Sequence, residues 1–217
     1  AMYATLNPIT PVTPGDDDDD ADADSADLEG GAGAIADADY IAKLSNEEVG
    51  EGKSDVEVAG LTIEADEGSD IELMAVALNF SQKTANRDLD RYADEVSIWF
   101  DGEEVARLDA DEFTRRQKYD KTVSLDRGAI IRAGEKGDLV VALSGVSNLD
   151  SKDEGETWTL EFESVRFRDG LNAVITDNDT GDINDNAGRT FSFEGFAAAT
   201  NLELKVTKGS AAINDSR

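Results

Sequence analysis

The densest run of residues able to do chemistry is Asp177-Asn178-Asp179-Thr180-Gly181-Asp182-Ile183-Asn184-Asp185-Asn186. Its carboxylates and amides alternate closely enough to surround a hard cation with six or more oxygens, which is the coordination calcium takes. Asp177, Asp179, Asp182, Asn184 and Asp185 are the candidate Ca2+ ligands. The spacing is not that of an EF-hand, because counting from Asp177 puts Gly181 at position 5 instead of 6 and Gly188 at position 12 instead of Glu. The same letters also suit a solvated turn, since Asn and Asp side chains bond their own backbone. Stabilisation by calcium separates the two readings.

Other acidic groups fall in predicted loops, at Asp66, Glu67 and Asp70, at Asp109, Asp111 and Glu112, and at Asp150, Asp153 and Glu154. Each reads as solvated surface. The run Asp16 to Asp20 is a flexible anionic stretch that would hold divalent ions without fixed geometry. A glycoside hydrolase needs two carboxylates across a cleft, and with 49 acids nothing singles out a pair. The chain contains no Cys and no His, which removes thiolate nucleophiles, disulfides, Cys/His zinc sites and imidazole-dependent triads. The expectation is therefore a protein that is not an enzyme.

Asp and Glu outnumber Lys and Arg by 49 to 20, giving a formal charge of −29. Such a field repels phosphate backbones and anionic membrane surfaces and attracts cations, so nucleic acid is excluded as an expected partner. No apolar run approaches the roughly 20 residues that span a bilayer, so direct membrane insertion is not expected.

The elements that must position these groups read as strands. In Trp158, Leu160 and Phe162, set against Thr157, Thr159, Glu161 and Glu163, apolar and polar residues alternate strictly. The same period appears in Leu139, Val141 and Leu143, in Val96, Ile98 and Phe100, and in Leu202, Leu204 and Val206. Residues 56–65 change phase at Gly60, which predicts a bulged strand there. The run from Ile71 to Phe80 shifts phase near Met74. Asp101-Gly102 between two apolar runs predicts a tight hairpin over 96–108. Strands are expected near 119–125, 173–176 and 189–194, about ten in all, with one short helical turn within 109–117. Trp158 is expected in the core and Trp99 on the opposite face of its sheet. The fold class is all-β, an antiparallel β-sandwich of immunoglobulin-like or jelly-roll type.

Two resemblances add to this reading. Asp182-Ile183-Asn184-Asp185-Asn186 is similar to the calcium-linker motif of cadherins. Gly30-Gly31, the stretch Val58 to Asp66 followed by Gly68-Ser69-Asp70, the stretch Arg91 to Trp99, and Arg189 to Glu194 together resemble multidomain cell-surface proteins of candidate-phyla-radiation bacteria (Patescibacteria, Parcubacteria-type lineages). Such proteins are similar to S-layer components and carry β-sandwich domains in series. The resemblance spans roughly residues 30–210 and implies an extracellular, cell-surface location.

The expected organisation is an acidic, Pro-containing and disordered tether over 1–30, a β-sandwich over 31–208, and a linker over 209–217 that leads toward further protein. The expected function is a structural component of an extracellular surface layer or filament, secreted, self-assembling as a homo-oligomer or lattice and stabilised by calcium, with other cell-envelope components as further partners. The alternative is a cell-surface adhesion module that recognises a carbohydrate or protein ligand.

Overall fold

The computed structural model describes residues 28–195, apart from 84–86, 115, 117, 186 and 187. The expected tether, the strand at Leu202 to Val206 and the 209–217 linker lie outside the described residues, apart from the tether's last three positions. Twelve strands are described: β1 (Ile35–Tyr40), β2 (Glu47–Gly50), β3 (Val56–Ala65), β4 (Ile71–Gln82), β5 (Ala93–Phe100), β6 (Glu103–Asp109), β7 (Asp120–Ser124), β8 (Ile130–Ile131), β9 (Lys136–Gly145), β10 (Thr157–Asp169), β11 (Val174–Asp177) and β12 (Arg189–Glu194). Two 3-10 turns, Leu89–Arg91 and Ala110–Glu112, are also described, the second within the segment expected to hold a helical turn.

The strands form two packed sheets. The first has the order β1-β3-β9-β5-β6, and the second β2-β12-β10-β4-β7, with β11 beside β10 and β8 beside β4. The expected sandwich is what forms, with one departure from antiparallel pairing: β12 runs parallel to β2.

Alternation explains most of the core. Trp158, Leu160 and Phe162 of β10 are fully buried, while the Glu161 side chain between the last two faces outward. Beyond Phe162 the buried positions move to Val165 and Phe167. A register shift against β4 between Phe162 and Ser164 accommodates the extra residue, so both apolar sets point inward. The phase shift expected near Met74 is real: Arg166 faces Ala75 and Phe167 faces Leu73, leaving Met74 without a partner on β10. Its carbonyl instead accepts the Leu125 N–H at 2.8 Å. At one end of the core the rings of Tyr92, Tyr119, Trp158, Phe191 and Phe193 pack mostly edge to face.

The hairpin joining β5 and β6 turns on Asp101 (φ 48°) and Gly102 (φ 86°), the positive angles a two-residue turn of this hand requires. The bulge in β3 is not at Gly60. Register slips between Glu57 and Ala59, and Gly60 is there for close packing: a Cβ at this position would lie 2.8 Å from Ile41 Cδ1 and 3.0 Å from the Leu139 carbonyl oxygen.

Candidate functional site

The five residues expected to bind calcium share one loop, and the structure shows what two of them do. Asp177, at the end of β11, accepts the backbone N–H groups of Asp179 (3.2 Å) and Thr180 (3.0 Å) and the Thr180 hydroxyl (2.8 Å), an Asx-type turn. Asp182 accepts the Tyr40 N–H at 2.8 Å through Oδ2, and its own N–H donates to the Ala38 carbonyl at 2.6 Å. Ile183 is buried, and the Asn184 N–H donates to the Phe162 carbonyl at 2.8 Å. Gly181 has φ 57° and approaches β1 so closely that a Cβ would lie 2.3 Å from the Ala38 carbonyl oxygen.

The loop thus carries the chain from the second sheet to edge strand β1 of the first and fastens the two together. Asp179 and Asp185 are exposed. Among the described residues no group of three or more acidic side chains is gathered to hold a metal ion. In the loop as folded, both carboxylate oxygens of Asp177 and Oδ2 of Asp182 accept protein donors.

Composition pointed to acidic surface, but it gave no sign of a second role for carboxylates. Four of them, Asp70, Glu72, Asp153 and Asp169, are buried. Asp169 accepts three backbone N–H groups, from Gly33 (3.2 Å), Leu171 (2.9 Å) and Ala173 (2.8 Å). Asp70 accepts the N–H groups of Glu29 (3.0 Å) and Ala133 (2.9 Å) and pairs with Arg132 at 2.5 Å. Glu72 pairs with Arg168, and Asp153 with Arg87 and, at 3.6 Å, Arg91. These acids fasten loops and the segment at 29–33 to the sheets.

Burial alone would raise the pKa of Asp70 and of Asp169, but the hydrogen bonds each accepts outweigh it and hold both below the ordinary carboxylate range. An unfolded Asp titrates near about 3.9. The ionised forms therefore stabilise the fold above roughly that pH, and the contribution is lost as pH falls through the lowered native values. Asp169→Asn places an NH2 group where a carboxylate oxygen faces a backbone N–H. The variant is expected to melt lower than the parent at pH 7, with the gap closing below about pH 4. Thermal melts across pH check this, and a gap independent of pH would show that the charge on Asp169 is irrelevant.

The outer face of the first sheet carries a third arrangement. Trp99 of β5 lies opposite Val140 of β9 and is half-buried on the outward face, as expected. Its indole N–H donates to Ser97 Oγ at 2.9 Å, and the Ser97 hydroxyl donates to Asp55 Oδ1 at 2.8 Å. Arg107 of β6 donates to Asp55 at 2.9 Å, to Glu95 at 2.7 Å and to Glu104 at 2.5 Å. Hydrogen bonding to Glu104, Asp55 and Glu95 raises the already high pKa of Arg107. Hydrogen bonding from Arg107 in turn holds Glu104 below its ordinary range. Asp55, Glu57, Trp99, Gly102 and Val140 line an open surface cavity of about 290 Å³.

No family model matches the chain, and no curated protein matches it. Among solved structures it is similar to a chain of a type I cohesin–dockerin complex from Clostridium thermocellum, at 13 % identity over 77 % of this chain and 99 % of that one, with a TM-score of 0.26. A score of that size does not establish a shared fold. Among the described residues no helix is long and apolar enough to cross a membrane.

Proposed function

We propose that the protein is a non-catalytic extracellular module that assembles with copies of itself into a bacterial surface layer or filament. The observation that carries this reading is the use of its buried carboxylates. Asp70, Asp153 and Asp169 hold loops or the segment at 29–33 in place and Glu72 ties β4 to β10, as a rigid building block requires, while most other acids among the described residues are at least partly exposed on a strongly charged surface. Two such shells repel one another, so contact between copies needs a counter-ion, and calcium suits exposed carboxylate oxygens. Calcium belongs in this proposal between copies and not inside the loop at 177–185, where Asp182 is already engaged by Tyr40.

Sedimentation and electron microscopy of the full chain are expected to show ordered assemblies with millimolar calcium and monomers after chelation. Asp182→Asn is expected to lower calcium-free stability, because Tyr40 loses a charged acceptor, and to leave calcium-driven assembly intact. A chain that stays monomeric at every calcium concentration would overturn the proposal. An Asp182→Asn variant that no longer assembles although folded would move the ion back to the loop.

A further inference from the structure

We infer that the cavity beside Trp99 is a recognition site for a cationic side chain, a lysine or arginine presented by a partner protein. The site is built, in the sense that its aromatic wall is held in one orientation. The indole N–H is tied to Ser97, Ser97 to Asp55, and Asp55 to Arg107, so the ring cannot swing into its own cavity without breaking a chain of hydrogen bonds spanning two strands and a loop. Val140, across the ladder on β9, and Gly102, at the hairpin, leave the space beside the ring open to about 290 Å³, enough for the end of one long side chain.

Charge decides which side chain. Asp55 and Glu57 line the space with the ring, Glu104 lies opposite Trp99 on β6, and the guanidinium of Arg107 is shared by Asp55, Glu104 and Glu95. Arg107 engages three of these acids, and Glu57 has neither an ion pair nor a hydrogen bond among the described residues. A cation over the ring would gain the attraction of the indole face, for which Trp is the best of the aromatic residues, and the charge of Glu57 at the rim. An anionic ligand would meet repulsion here and from the chain as a whole. A lysine stem suits the apolar surface of Trp99 and Val140 while its ammonium reaches Glu57. The inference does not depend on self-assembly: the cation is presented by a protein other than this chain, since a second copy brings the same charge of −29 and is repelled from this face.

The full chain reports on this site directly. It has two tryptophans, and Trp158 is completely buried, so the Trp99 indole N–H resonance is a local probe with an internal control. Titration with the tripeptide Gly-Lys-Gly, capped at both ends, in about 0.15 M salt, where general charge attraction is screened, is expected to move the Trp99 signal saturably and leave Trp158 in place. The same peptide acetylated on the lysine nitrogen is expected to bind at least several-fold more weakly. Glu57→Gln should weaken binding several-fold without changing the circular dichroism spectrum, and Trp99→Leu, which lacks the reporting resonance and is followed by titration calorimetry, should abolish it. Equal response to the acetylated peptide, equal movement of both tryptophans, or full binding by the Trp99→Leu variant would each overturn the inference. So would a neutral oligosaccharide that shifts Trp99 where the lysine peptide does not, which would make the platform a sugar site.

Discussion

Phe162→Ala is expected to lower the unfolding free energy by about 3–5 kcal/mol, the range for emptying a fully buried aromatic position. Phe162 lies on β10 of the second sheet, faces Leu78 across the ladder, and packs against Tyr40 of the first sheet with ring centroids 5.9 Å apart. Its removal therefore opens a void between the two layers instead of at a margin. The backbone there is also occupied, since the Phe162 carbonyl accepts the Asn184 N–H at 2.8 Å, so collapse of the strand into the void is resisted. Tyr40 is part of the same junction, and burial pushes its hydroxyl pKa up to about 12. Glu161→Gln, one residue away and facing outward, is expected to change stability by less than about 0.5 kcal/mol. Urea melts of the two variants check the contrast, and equal losses would mean that the face of β10 is wrongly assigned.

The second large effect concerns Glu72 and Arg168, paired across β4 and β10. The Glu72 side chain is 8 % exposed and that of Arg168 22 %, so solvent screens the pair only partly. Arg168→Met should cost about 3 kcal/mol, the low end for breaking a buried pair, because it strands a carboxylate whose remaining partner is the Gly128 N–H at 3.3 Å. Changing both residues to Met should recover most of the loss, since neither charge is then left alone. A double variant as unstable as the sum of the single ones in denaturant melts would show that the two side chains contribute separately.

Period-two alternation was enough to read β5, β9 and β10 and to put Trp158 inside and Trp99 outside, because a strand with one buried face writes its orientation into every second residue. The Asp101-Gly102 turn was equally legible, because few pairs tolerate two positive φ angles. What stayed hidden has physical reasons. β1 reads Ile-Ala-Asp-Ala-Asp-Tyr, and its buried Ala38 carries little apolar signal. β2 and β8 are four and two residues long, too short to show a period. At Gly60 the phase change was visible but its cause was not, because the approach of Ile41 comes from a remote part of the chain. The loop at 177–185 shows the same limit. Its oxygen-rich composition was plain, but that Asp182 answers the Tyr40 N–H depends on a contact 142 residues away. Asp70 and Asp169 likewise look like ordinary surface acids until the fold brings Glu29, Gly33 and Ala133 to them.

The parallel ladder between β2 and β12 has a consequence for biosynthesis. Asn46, just before β2, bonds Thr190 of β12 across 144 positions, and no part of the ladder that follows can form until the chain has been made almost to Glu194. Until then the far side of β10 lacks β12, and Trp158 lacks the strand that faces it at Phe191. Contacts of such separation close slowly, because the intervening chain must be ordered first. A newly made chain therefore passes through a stage in which its largest core side chain packs against Tyr92 and Tyr119 but still lacks the strand that closes its other side.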